Sequence, residues 1–115
     1  MRSLWVIGVI NDRDFGPAVM IAPGGVMIEL LDEGIILMAP FDAATVAVKL
    51  HQLRATRMLT GYRGQKSLAF DSFCDAAARI SQLAVDFQDQ IEALDINPVL
   101  VSEQQVVAVD VLIQK

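Results

Sequence analysis

Leu94-Asp95-Ile96-Asn97-Pro98-Val99-Leu100-Val101 and Val106-Val107-Ala108-Val109-Asp110-Val111-Leu112-Ile113 are two apolar, β-branched runs joined by the polar residues Ser102-Glu103-Gln104-Gln105. Such a pattern predicts a β-hairpin. If its register is symmetric about the four polar residues, Val101 pairs with Val106 and Asn97 stands directly opposite Asp110. Tightening the loop to two residues keeps that pairing, and opposed residues in an antiparallel pair hold their Cβ atoms about 4.5–5.5 Å apart. Asp95, two residues before Asn97, shares its face, and Pro98 biases Asn97 toward extended backbone.

Two carboxylates and an amide oxygen on one patch are hard oxygen donors. They suit a Mg²⁺ that keeps some of its waters and also takes oxygens from a nucleotide phosphate. The apolar flanks Leu94, Ile96, Val99, Val109 and Val111 sharpen the expectation, because a carboxylate embedded among them needs a partner or a metal to offset desolvation. On spacing alone, however, Asp and Asn on a strand are more commonly the solvent-facing residues of a half-exposed sheet.

Working outward, Leu4 to Ile10 reads as a strand ended by Asn11-Asp12-Arg13-Asp14 and is expected to be covered on both faces. Ala18 to Ile21, Val26 to Leu31 and Ile35 to Met38 are further strand-like runs, parted by Ala22-Pro23-Gly24-Gly25 and Asp32-Glu33-Gly34. Beyond Pro40 the period changes. Asp42 is placed to cap a helix on which Val46, Leu50, Leu53 and Arg57 recur, ending near Thr56. After Gly61-Tyr62-Arg63-Gly64, the residues Phe70, Phe73, Cys74, Ala77, Ile80, Ala84 and Phe87 mark one face of a second helix, with Asp71 or Ser67 as its cap. The expected architecture is α+β, two helices packed on a mostly antiparallel sheet, in a single domain over residues 1–115.

Composition narrows the function classes. Nine Lys+Arg against fourteen Asp+Glu give a formal charge of −5, which argues against a nucleic-acid partner. The longest apolar stretch, Pro17 to Leu31, is interrupted by Pro23, Gly24, Gly25 and Glu29, so no membrane crossing is expected. One cysteine permits no internal disulfide, and no signal-peptide pattern opens the chain; a cytoplasmic location is the expectation. A mean hydropathy of +0.46 points to apolar surface covered by a partner, a homo-oligomer included.

Other chemistry-bearing residues carry weaker signals. Arg63 lies between two glycines, where a guanidinium can reach a phosphate, or where Gly61 simply stops a helix and leaves an exposed arginine. Gly24 and Gly25 can bring backbone amides to an anion, although no Walker or Gly-x-Gly-x-x-Gly pattern accompanies them. Glu29 closes an apolar strand and either faces water or lines the sheet surface of Asp95 and Asn97. His51 lacks a serine, cysteine or metal-spaced partner and reads as a surface histidine, while Cys74 shares an apolar helix face and reads as core.

Taken in order, Val9-Ile10, Arg13-Asp14-Phe15-Gly16-Pro17, Val19-Met20, Gly24-Gly25, Ile28-Glu29, Ala39-Pro40, Leu59-Thr60-Gly61-Tyr62-Arg63-Gly64, Leu94-Asp95-Ile96-Asn97-Pro98 and Val107-Ala108-Val109-Asp110 resemble the C-terminal part of the ATP-grasp domain in NDP-forming acyl-CoA synthetases. The match covers nearly the whole chain and is also similar to the succinyl-CoA synthetase β-subunit and to the synthetase-like region of some protein acetyltransferases. The resemblance implies the reaction acyl-CoA + NDP + phosphate ⇌ acid + CoA + NTP, with Mg²⁺ and ATP/ADP or GTP/GDP as cofactors. Carried over by motif position, Asn97 and Asp110 are the metal ligands and Asp95 their support, while Arg63, Glu29, Gly24 and Gly25 contact the nucleotide.

The chain also departs from that family. Ala22-Pro23-Gly24-Gly25 replaces Gly-Leu-Gly-Gly, Leu37 replaces a basic residue, and Asp12-Arg13-Asp14 replaces Arg-Asp-Pro. The N-terminal ATP-grasp subdomain, the CoA-binding domain and the phosphoacceptor histidine have no counterpart in these residues. They are the expected partners, as domains or subunits, of a chain that carries no catalytic residue itself and is inactive alone. A non-catalytic interaction or dimerisation module on the same fold is the alternative expectation.

Overall fold

The computed structural model describes residues 2–24, 34–61 and 67–115. Among them, six strands form one sheet: β1 (Arg2–Asp12), β2 (Gly16–Pro23), β3 (Ile35–Met38), β4 (Ala93–Ser102), β5 (Val106–Ala108) and β6 (Val111–Gln114). The spatial order is β3-β2-β1-β4-β5, with β6 pairing the other half of β4, and the pairings are antiparallel. The expected run Val26 to Leu31 lies outside the described residues.

Period-two alternation decides which face is covered. In β1, Trp5, Ile7 and Val9 are buried, whereas Leu4 and Ile10 on either side of them are 37% and 68% exposed. The expectation that this strand is covered on both faces is therefore corrected: helices cover one face, and the other carries apolar side chains to the surface. Trp5 sits at the centre of the core, its ring 5.4 Å from that of Phe73 and its indole N–H donating to Ser3 Oγ at 3.0 Å.

The covering layer consists of α1 (Ala43–Leu50), a short 3₁₀ turn (Arg54–Thr56), α2 (Arg57–Thr60) and α3 (Phe70–Asp86). Asp42 caps α1 as expected, its Oδ1 accepting the Thr45 amide at 2.8 Å and the Thr45 hydroxyl at 2.7 Å. The first helix is not continuous to Thr56. Leu53 adopts extended backbone, and the buried Thr56 hydroxyl donates to the Leu50 carbonyl, giving an oxygen at the end of α1 a side-chain partner. Helical structure then resumes as far as Gly61, whose φ of 106° stops it as expected.

The long helix α3 buries Phe73, Cys74, Ala77, Ser81 and Ala84, the three-and-four spacing read from the sequence. Its cap differs from expectation: Ala69 occupies the N-cap, and neither Asp71 nor Ser67 does. Ser81 Oγ accepts the Phe41 amide at 3.2 Å and donates to the Ala78 carbonyl at 2.6 Å, which ties the chain after the cis Ala39–Pro40 bond to α3. Among the described residues no helix is long and apolar enough to cross a membrane.

Candidate functional site

The terminal hairpin has the register read from its sequence: Val101 pairs with Val106, Leu100 with Val107 and Val99 with Ala108. Its turn is closed by the Ser102 amide donating to the Gln105 carbonyl at 2.9 Å and the Gln105 amide donating to Ser102 Oγ at 3.3 Å. Past the middle, Ile96 pairs with Val111 and Asp95 with Leu112, so the register is unchanged from end to end. Asn97 is thereby opposed to Asp110, and the Asn97 amide donates to the Asp110 carbonyl at 3.0 Å.

Against β1 the register does change. Trp5 pairs with Val99 but Ile7 pairs with Ile96, so Asn97 and Pro98 together face the single residue Val6. This is a β-bulge, which inserts one residue and re-aims its neighbours. Burial switches from Leu94 and Ile96 to Val99 and Val101 across it, keeping apolar side chains in the core on both sides. The expected single strand Val106 to Ile113 divides at the same level into β5 and β6, with Val109 and Asp110 between them. Within the hairpin the register is unbroken, so the step lies between β4 and β1 alone.

The step leaves Asp95 and Asn97 on the sheet face away from the helices, and Asp95, Asn97 and Asp110 are all exposed. The expectation that these carboxylates are embedded in apolar surroundings is corrected: Val109 and Val111 are 57% and 47% exposed, and desolvation supplies no argument for a metal. What remains is the chemistry of the donor set. Among the described residues no group of three or more His, Cys, Asp or Glu side chains is arranged to hold a metal by itself. Two carboxylates with an amide oxygen on an open face match the sparse protein ligation of a Mg²⁺ whose remaining positions go to water and phosphate.

Gly8 on β1 is paired with Asp95 on one side and Met20 on the other. A Cβ placed on Gly8 would lie 3.7 Å from Met20 Cε and 4.0 Å from Asp95 Oδ1. The glycine therefore leaves a shallow place beside the Asp95 carboxylate. Sequence reading passed over it, although a glycine inside an apolar strand signals a close approach of backbone or ligand. The bulge had a sequence signal as well, in the change of apolar parity from Leu94 and Ile96 to Val99 and Val101 around Pro98.

Other candidates separate from this patch. The Gly24 amide donates to the Leu4 carbonyl at 2.8 Å, so that N–H is already used. A Cβ there would lie 2.9 Å from Val6 Cγ2 and 3.2 Å from the Trp5 carbonyl carbon, which makes the glycine a packing requirement. Gly25, Glu29 and Arg63 lie outside the described residues. His51 places its ring 5.0 Å from that of Phe70 in the helical layer. Cys74 is buried on α3, and burial, with the Asp71 carboxylate adding to it, pushes its thiol up to about 11.

Comparison with known proteins matches this architecture. The ATP-grasp domain family covers residues 3–114. The β-subunit of ADP-forming acetate–CoA ligase I from Pyrococcus furiosus is 31% identical over 105 residues, 91% of this chain and 45% of that protein. The ADP-forming acetate–CoA ligase I of Archaeoglobus fulgidus is 33% identical over 105 residues, 91% of this chain and 15% of its own length. A solved dinucleotide-forming acetyl-coenzyme A synthetase 1 from Ca. Korarchaeum cryptofilum, in complex with coenzyme A and Mg-AMPPCP, superimposes with a TM-score of 0.87 at 30% identity, covering 96% of this chain and 52% of that one. The chain thus spans about half the length, or less, of these relatives. With its antiparallel sheet, its single helical layer and a family match that runs almost from end to end, the chain belongs to the ATP-grasp domain family.

Proposed function

We propose that this chain forms the Mg²⁺- and nucleotide-facing C-terminal subdomain of an NDP-forming acyl-CoA synthetase, contributing to acyl-CoA + NDP + phosphate ⇌ acid + CoA + NTP. The observation that carries the reading is the unbroken register of the hairpin, which opposes Asn97 to Asp110 on the bare face of the sheet. Asn97 and Asp110 would hold the metal through their side-chain oxygens, and the Asp95 carboxylate would support them. When bound, Mg²⁺ neutralises charge on the nucleotide phosphates and fixes their orientation. The bare apolar face beside these donors, with Met20, Ile36 and Leu112 at 40%, 71% and 69% exposure, packs against the rest of the nucleotide site and excludes water from it. The second subdomain, the CoA-binding part and the phosphoacceptor histidine come from outside these residues.

That same apolar face favours one alternative, a module that keeps the fold and uses the face for association alone. Amide NMR of the protein titrated with Mg-ADP separates the two. Shifts that centre on Asn97 and Asp110, require Mg²⁺ and weaken by about tenfold or more in Asn97→Ala and Asp110→Ala support the nucleotide role. A spectrum that stays unchanged at millimolar Mg-ADP leaves the association module as the better account of the chain.

A further inference from the structure

The strand β6 is apolar on both of its faces and open along one side. It pairs with β4, and among the described residues no strand lies beyond it. Val111, Leu112 and Ile113 are all exposed. The Asp110 and Gln114 carbonyls accept from the Asn97 and Glu92 amides, so the alternation of an antiparallel ladder turns the backbone N–H and C=O of Val111 and Ile113 outward. Sheet proteins ordinarily guard an open edge with a charge, a proline or a bulge, and none stands between Asp110 and Lys115.

On the helical side, β6 borders an open groove of about 350 Å³ whose eight lining residues are all apolar. Val111 and Ile113 face Leu83 and Phe87 of α3 across it, with Leu94 and Ile96 of β4 between them. Arg79 and Asp86, four residues before Leu83 and three after it, share its ridge of α3 and are exposed. Arg79 pairs with Asp75 along the helix at 3.1 Å, and Asp86 accepts from Gln82 at 2.9 Å.

We propose that β6 pairs antiparallel with β6 of a second copy of this chain, continuing the sheet across a two-fold axis and closing the two grooves onto each other. An axis that joins two edges in this way is perpendicular to the sheet, so each face runs on into the same face of the partner. Centring the axis on Leu112 opposes it to the partner's Leu112 on the bare side, and Val111 to the partner's Ile113 on the helical side. Apolar side chains then meet apolar ones on both faces. Centring one residue later sets the partner's Lys115 against Val111, and one residue earlier sets Asp110 against the partner's Leu112; both are poorer matches. Charge selects the same occupant. The axis reverses α3 as well, and an antiparallel pair centred near Leu83 brings Arg79 of each copy beside the partner's Asp86, giving the joined groove rims of opposite sign. The partner's Gln114 comes to lie opposite Asp110, where its amide donates to a carboxylate of the metal-donor face.

Sedimentation velocity over a concentration series is expected to show a monomer–dimer equilibrium, and cysteine variants read its register. Directly opposed residues of a non-hydrogen-bonded pair hold their Cα atoms about 4.5 Å apart, within disulfide reach. Under oxidation Leu112→Cys is therefore expected to cross-link two copies about tenfold faster than Ile36→Cys on β3, with Cys74 buried and silent. Ile113→Pro removes an outward N–H and no bond to β4, and is expected to weaken the dimer about tenfold with an unchanged circular dichroism spectrum. Where that variant unfolds, the cysteine comparison decides. Arg79→Glu is expected to weaken the dimer and the added Asp86→Arg to restore it; failure to restore it overturns the placement of α3. A chain that stays monomeric, a folded Ile113→Pro that dimerises as well as wild type, or an Ile36→Cys that cross-links as fast as Leu112→Cys overturns the proposal. None of these readouts uses Mg-ADP, so the nucleotide reading stands or falls separately.

Discussion

Gly8 shows how a single position divides fold from function. It pairs with Asp95, and a methyl group there meets its neighbours only at ordinary van der Waals distance. Gly8→Ala is therefore expected to fold normally. Gly8→Leu is expected to keep the core, since the new side chain points away from Trp5 and Ile7, and to lower Mg-ADP affinity by about tenfold by filling the place beside Asp95. Thermal unfolding and Mg-ADP titration of the same variant check the two halves of this expectation. The residue scale is also where the sequence was least legible. The opposition of Asn97 to Asp110 was legible because strand register converts spacing into proximity. Gly24 was taken for an anion-contacting glycine because nothing in the sequence reveals that its amide meets Leu4, a partner twenty residues away.

At the scale of elements, local chemistry was legible and tertiary chemistry was not. Asp42, with Thr45 three residues on, announced the start of α1, and the structure places the expected hydrogen bonds there. Those bonds, chiefly the one from the Thr45 side chain, hold the Asp42 carboxyl below its ordinary value of 3.8. A carboxylate with a lowered folded pKa stabilises the protein above its unfolded pKa, and that contribution is lost as pH falls through the folded value. Asp42→Ala is thus expected to lower Tm by a few degrees at pH 7, and the difference from wild type is expected to shrink below about pH 3.8, as read by thermal unfolding across a pH series. The interruption of α1 was not readable, because it depends on a buried Thr56 hydroxyl finding the Leu50 carbonyl. The uncapped start of α3 escaped for a similar reason: the Ala69 amide is engaged by the Ser102 carbonyl of a distant strand.

Among the described residues, helices cover one face of the sheet. Ile10, Ile36, Met38 and Leu112 are between 48% and 71% exposed on the bare side, while α1 and α3 cover most of the other, leaving Val111 and Ile113 of β6 47% and 52% exposed beside Leu83 and Phe87. The high apolar content of the sequence foreshadowed such a surface without saying where it lay. Concentration-dependent self-association is the expected behaviour of the isolated chain, measurable by sedimentation velocity, and Ile36→Lys together with Leu112→Lys is expected to reduce it without lowering Tm by more than a few degrees. A sedimentation coefficient independent of concentration in the wild type tells against it.

The unbroken register of the terminal hairpin reaches into the order of folding. Asn97 and Asp110 are thirteen residues apart, whereas the β1–β4 pairing of Gly8 with Asp95 joins residues eighty-seven apart. Closing the shorter loop costs about 2 kcal/mol less chain entropy. Since the register that opposes Asn97 to Asp110 is internal to the hairpin, it does not wait for β1 to arrive. The pairing that opposes Asn97 to Asp110 is thus far more local than the one that joins β4 to β1, although the turn of β1 and β2, with Asp12 paired to Gly16, is more local still.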